Sequence, residues 1–425
     1  MQIGRALGLS IGRPGAVLVG RDTRRSGAML EAALAAGVAS AGVDVVLGGV
    51  LPTPAVAVLV AADDAFAAGV VISASHNPFP DNGIKVFGPD GFKLPDDAEA
   101  ALEALIGAVG GERPIGGDVG EVRHWDGAAA NYRDGLIARA GVRLDGMRVV
   151  IDCANGATAT TAPEVLSALG ADVISIGVDP DGVNINVDCG STHLGALQAA
   201  VRGHGAVLGL AFDGDGDRVL AVDGDGEVVD GDQVLAALAI WLNERGDLPG
   251  PAVVTTTMTN LGFRRAMADR GIDVRWTDVG DRYVLAEMRA SGLVLGGEQS
   301  GHLIHLPSGP TGDGLSGGIL LLTALAERDI TLAEAAGAMT RMPQQLVSIR
   351  VDRKEDLPGA TEVWDLVRAE EAALGEHGRI VLRASGTEPL VRVMVEAPTS
   401  EQCERIARDI ADVAGRACGL VEGGH

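Results

Sequence analysis

Short apolar runs at 16–19, 43–47 and 67–72 alternate with a longer alanine-rich stretch at 27–41 and an apolar segment at 55–62. Brief runs bounded by glycine and polar residues predict buried strands, and the longer stretch predicts a helix. The same succession recurs twice. Strands are predicted at 148–152 and 172–177 around a helix at 162–169, followed by the apolar run 206–212. Strands are predicted again at 252–257 and 273–277 around a helix at 262–269, followed by 293–295. Each unit ends in a polar, glycine-containing loop, at 73–83, 213–218 and 296–302. Strands alternating with helices at this spacing argue for an α/β chain with mostly parallel, mixed sheets. The last stretch differs, with strands at 346–351, 379–382 and 391–396 and helices at 361–373 and 400–414, a small α+β domain. Candidate linkers lie at 107–118 and 341–345, and the domains are expected at 1–140, 141–245, 246–343 and 344–425.

Composition narrows the picture. The chain has 425 residues, enough for several domains, and 47% hydrophobic residues, enough for a large core. No apolar run is long enough to span a bilayer, and no secretory leader is read ahead of the first strand. The four cysteines have neither paired nor metal-type spacing, which fits a reducing cytoplasm. A net charge of −24 argues against a nucleic-acid partner. A phosphate ligand would need a local basic cluster, mostly of arginine, because the only lysines are Lys85, Lys93 and Lys354.

The loops carry the candidate chemistry. Ser75 follows the apolar run 67–72 and precedes Asn77-Pro78, where helical geometry is disfavoured. It is expected on a loop beyond the carboxyl end of a strand, the side on which open α/β sheets bind ligands. The turn at 81–85 then delivers Lys85. Asp213, Asp215 and Asp217, separated by glycines, can turn their carboxylates around one hard cation, Mg²⁺ or Ca²⁺. An EF-hand is excluded, because its sixth and twelfth positions would be Arg218 and Gly224. The second acidic cluster, Asp223-Gly224-Asp225-Gly226, reads as a hairpin turn. Glu298, Ser300 and His302 occupy alternate positions and would share one side of an extended segment. Arg383, Ser385, Gly386, Thr387 and Arg392 offer hydroxyls, a turn and two guanidinium forks, the makings of an anion cradle. Arg21, Arg24 and Arg282 sit in loops that could add arginines to a phosphate site.

These loops, in this order, resemble those of the α-D-phosphohexomutase family. The stretches 73–78, 213–218, 297–302 and 383–392 match its four signature loops. Gly280-Asp281-Arg282-Tyr283 and Gly190-Ser191-Thr192-His193 are more similar to its bacterial glucosamine branch than to its phosphomannomutase/phosphoglucomutase branch. The resemblance implies three related α/β domains and a TATA-binding-protein-like fourth domain around a cleft, and often a homodimer. It implies that Ser75 is phosphorylated and that Asp213, Asp215 and Asp217, with the Ser75 phosphate, hold one Mg²⁺. Lys85 and His302 would belong to the acid/base set, with His76 beside the serine and Arg218 beside its phosphate. Glu298 and Ser300 would hold sugar hydroxyls, and the 383–392 loop the distal phosphate. The implied reaction interconverts glucosamine 6-phosphate and glucosamine 1-phosphate through a bisphosphate, a step toward UDP-N-acetylglucosamine and cell wall. Glucosamine 1,6-bisphosphate or an equivalent would be an activator. Family members open with a strand and a Thr-Asp-Gly-Arg-Gly-like segment, whereas here the resemblance starts at Gly4. Either the true start lies upstream or the first domain is incomplete; the alternatives are a phosphogluco/phosphomannomutase and, because of the missing segment, a catalytically impaired sugar-phosphate-binding protein.

Overall fold

A computed structural model describes residues 1–12, 15–107, 114–385 and 388–420. Three mixed sheets follow one another along the chain. In the first, Ala16–Arg21 lies between Asp44–Val50 and Phe66–Ile72, parallel to both, and Ile84–Phe87 adds an antiparallel edge. In the second, Arg148–Asp152 lies between Asp172–Ile176 and Leu208–Phe212, with Val219–Asp223 antiparallel beyond. The third repeats this with Ala252–Thr256, Asp273–Thr277, Leu295–Gly297 and the antiparallel Leu303–His305.

One topological position therefore recurs. In each sheet the loop between the last parallel strand and its antiparallel neighbour carries a predicted site: Ser75, then Asp213 to Arg218, then Glu298 to His302. The apolar alternation sets this up, because the strands Phe66–Ile72 and Leu208–Phe212 are buried almost throughout. Their chains reach polar residues only at the carboxyl ends, where the loops open. The hairpin expected at 223–226 is present, with Val228–Val229 antiparallel to Val219–Asp223.

The fourth domain is a three-stranded antiparallel sheet, Gln344–Arg350, Leu390–Glu396 and Arg379–Ala384, backed by helices Thr361–Leu374 and Ser400–Cys418. The helix Gly231–Arg245, which follows the second sheet in sequence, packs on Gly314–Arg328 and Leu261–Ala268. A capping box of Asp230 and Gln233 starts it, and its buried face extends one apolar core across the first three domains. None of the described helices is long and apolar enough to cross a membrane.

Candidate active site

Ser75 stands at the centre of the site in a conformation that L-residues avoid, with φ +52°. Such a backbone costs on the order of 1–2 kcal/mol and persists only where its surroundings enforce it. Arg24 provides the enforcement. Its Nη2 donates to the carbonyls of Ser75 and Asn77, its Nη1 to those of Pro78 and Asp81, and its Nε to Asp22 at 2.8 Å. Four of its N–H groups are committed to the loop and the fifth to Asp22, so the sequence-based expectation that Arg24 could bind a ligand phosphate is corrected. Asn186 of the second domain donates to the same Ser75 and Asn77 carbonyls. Ser73 closes the network by accepting from Ser75 N and donating to Asp22. Arg21 also departs from expectation: its guanidinium pairs with Glu31 and donates to the Asp22 carbonyl.

The acidic loop meets the serine head on. Ser75 Oγ donates to Asp213 Oδ2 at 2.6 Å, and His76 Nδ1 lies 3.3 Å from the same hydroxyl. Burial, then Arg218, lowers the His76 pKa. A Cβ on Gly214 would come within 2.7 Å of the Ser75 carbonyl, so the approach requires glycine there. Asp213, Asp215 and Asp217 are buried and offer ligand oxygens within 4.8 Å of one another. Lys85, on the hairpin strand that follows the serine loop, bridges Asp215 at 2.6 Å and Asp217 at 2.9 Å. Burial alone would lower the Lys85 pKa, but the two carboxylates outweigh it and hold the ammonium above its ordinary value. Burial, then Asp217 and Asp215, pushes the Asp213 carboxyl well above the usual range.

Four buried polar atoms of this cluster have no hydrogen-bond partner among the described residues: Asp215 Oδ1, Asp217 Oδ1, Arg218 Nε and His302 Nε2. Two orphaned carboxylate oxygens beside a third aspartate suit an oxygen-preferring divalent cation, and the unpartnered Arg218 N–H suits an anion next to it. The donor set fits a hard metal ion.

The third loop is not extended as the alternation of Glu298, Ser300 and His302 suggests. Glu298 N donates to the His302 carbonyl and Gly301 N to the Glu298 carbonyl, which closes a tight turn between strands. That turn adds hydrogen bonds an extended segment would leave to solvent. Ser300 lies in the turn, Glu298 accepts from Gly280 N at 3.1 Å, and the buried His302 faces Asp217 across 3.7 Å. Arg282 is directed elsewhere, onto Asp96 and Glu99 of the first domain. Its neighbour Asp281, absent from the sequence-based site, faces His302 Nε2 across 3.6 Å.

In the fourth domain Arg383 and Arg392 lie directly opposite on paired strands. Burial, then Arg392, lowers the Arg383 pKa. Such like-charge pairing is unfavourable without an anion between the two. Arg392 pairs with Glu388, and Ser385 N donates to Leu390 O at the base of the loop. Gly386 and Thr387 lie outside the described residues. Lys354, which sequence reasoning left unassigned, donates to the Ser385 and Glu388 carbonyls. No hydrogen bond or ion pair among the described residues joins Arg383, Ser385 or Arg392 to the serine–aspartate cluster.

Comparison with known proteins agrees with this architecture. The four domain signatures of the phosphoglucomutase/phosphomannomutase family match residues 1–110 (domain I), 130–226 (domain II), 230–342 (domain III) and 346–413 (C-terminal domain). A phosphoglucosamine mutase of Frankia alni is 54% identical over 395 residues, 93% of this chain and 86% of that protein. One from Mycobacterium ulcerans is 51% identical over 94% of this chain and 90% of its own length. Among solved structures, a phosphoglucomutase/phosphomannomutase family protein of Burkholderia thailandensis superposes with TM-score 0.82 at 27% identity, over 99% of this chain and 94% of that one. Near-full-length identity above half, four matched domains and one shared topology establish that the chain belongs to the α-D-phosphohexomutase family.

Proposed function

We propose that the chain interconverts glucosamine 6-phosphate and glucosamine 1-phosphate through a phosphorylated Ser75, a step that supplies amino sugar for UDP-N-acetylglucosamine and cell wall. The observation that carries this reading is the 2.6 Å contact between Ser75 Oγ and Asp213, inside a cluster of three buried aspartates and Lys85. The amino-sugar substrate rests on relatives named phosphoglucosamine mutase at 50–54% identity.

Asp213, Asp215, Asp217 and the Ser75 phosphate would hold Mg²⁺, which when bound neutralises charge on the carboxylates and on the phosphoryl group. The chain's own residues supply the rest. The P–Oγ bond of phosphoserine breaks while a P–O bond to the free sugar hydroxyl forms. The hydroxyl proton passes to His302, and the serine oxygen takes a proton from the ammonium of Lys85. Arg218 stabilises charge on the phosphoryl oxygens through its unpartnered N–H. The resulting bisphosphate reorients and returns its other phosphate to Ser75, while Arg383, Ser385, Gly386, Thr387 and Arg392 hold whichever phosphate is distal. Glucosamine 1,6-bisphosphate, entering this cycle from outside, would serve to prime the serine. In the fourth domain, the order strand, helix, strand, strand, helix supports the TATA-binding-protein-like reading.

A coupled assay with glucosamine, glucose and mannose 6-phosphates tests this function. Turnover of the glucosamine ester above the other two is expected. Preference for glucose or mannose would move the chain to the other branch.

A further inference from the structure

We propose that Asp281, anchored by Lys93, is a positioning residue that aims the His302 ring into the cleft. Turnover then depends on a clasp between the first and third domains. This inference rests on the mutase reading above.

His302 is buried and bounded on three sides. Asp217 Oδ1 lies 3.7 Å from Nδ1 and Asp281 Oδ2 lies 3.6 Å from Nε2. A Cβ on Gly312 would approach Nε2 to 2.2 Å, so the ring rests on bare backbone there. Of these neighbours only Asp281 can fix the outer nitrogen. It is the first residue of the helix Asp281–Ser291, where the exposed N–H groups favour a carboxylate.

The same Asp281 oxygen pairs with Lys93, which belongs to another domain. Lys93 is carried on a short segment that grips the third domain at several points. Phe92 packs against the apolar cluster of Val254, Leu285 and Ile304, and the Arg289 guanidinium covers its ring at 4.0 Å. Arg282 closes on Asp96 and Glu99 of the following helix. The row Lys93, Asp281, His302, Asp217 thus crosses three domains. It leaves His302 aimed only when the segment around Phe92 is seated. Nothing in the phosphoryl-transfer chemistry itself requires Lys93 or Asp281, so their alignment behind the buried ring is best explained by its placement.

The test uses the full chain and the Asp281→Asn, Lys93→Met and Lys93→Arg variants. Each is assayed for kcat and KM on glucosamine 6-phosphate, for Ser75 phosphorylation by intact mass, and for Tm. Asp281→Asn and Lys93→Met should each lower kcat about tenfold or more, with KM, phosphoserine content and Tm close to wild type. Lys93→Arg, which keeps the charge, should recover most of the lost rate. If Asp281→Asn keeps kcat within about twofold of wild type, the inference is wrong. A loss of rate matched by a fall in Tm in both Asp281→Asn and Lys93→Met would likewise overturn it, by assigning the pair to stability. A wild-type chain without turnover would instead defeat the mutase reading, and this inference with it.

Discussion

Arg24 lies directly behind Ser75, its Nη2 donating to the Ser75 carbonyl at 3.1 Å while its other N–H groups hold Asp22 and the carbonyls of Asn77, Pro78 and Asp81. The serine's left-handed backbone is therefore imposed by a buried guanidinium. Arg24→Lys keeps the charge but loses the planar fork that spans four carbonyls. Ser75 phosphorylation by glucose 1,6-bisphosphate should fall by about tenfold or more in this variant, with Asp22 still paired. Arg24→Ala should also lower stability, by roughly 3–5 kcal/mol, because it leaves the buried Asp22 carboxylate without its counter-ion. Phosphorylation at the wild-type rate in Arg24→Lys would refute a positioning role.

The metal assignment separates two acidic clusters. Asp215→Asn should weaken Mg²⁺ binding by calorimetry and lower turnover, because it removes charge from the orphaned oxygens in the cleft. Asp225→Asn, in the exposed hairpin turn, should change neither. Equal behaviour of the two variants would mean that the cation is held elsewhere.

The distal cradle is tested at Arg383. A guanidinium held against another of like charge is poised for an anion, and hydrogen bonds to charged groups contribute roughly 1.5–3 kcal/mol each. Arg383→Ala should lower kcat/KM by on the order of ten- to a hundredfold, and Arg383→Lys should restore only part of it. Hydrolysis of the phosphoserine in the absence of sugar should stay near the wild-type rate, because that phosphate lies beside the aspartates. A parallel loss in both reactions would argue against a separate phosphate site.

Asp232 gives a stability prediction with a defined sign. It is buried at the start of the helix Gly231–Arg245, where it accepts from Asn260 N. Burial first, then Asp230, raises its pKa from 3.8 to about 7. Between those values the folded chain holds a proton that the unfolded chain has lost, so this group's contribution to stability falls as pH rises through the window. Tm measured at about pH 5.5 and about pH 8 should drop more across that interval in wild type than in Asp232→Asn. The same drop in both proteins would show that Asp232 does not titrate in this way.

The repeat of strands and helices was legible because buried strands are written as apolar runs and end at the loops that carry the site. The acidic loop and Ser75 were legible for the same reason, since three carboxylates and a serine stand at strand ends. What the sequence concealed were contacts between domains. Arg24 looks like any loop arginine until four of its donors are traced to carbonyls some fifty residues away. Asp281 became visible only when the third domain placed it beside His302, and Lys354 only when a loop folded over its ammonium. The turn at 298–301 defeated the alternation argument, because a period of two describes a strand and the chain reverses there instead.

The central claim is that Ser75 carries the phosphoryl group to an amino-sugar phosphate, and one single-turnover measurement tests it most directly. The chain is phosphorylated at Ser75 and mixed with glucosamine 6-phosphate, and the peptide containing Ser75 is followed by mass spectrometry alongside the sugar products. The account predicts rapid loss of the phosphate from Ser75 with matching formation of sugar bisphosphate, and no such transfer in Ser75→Ala. Phosphate that stays on Ser75 while glucosamine 1-phosphate forms, or product formation by Ser75→Ala, would contradict it.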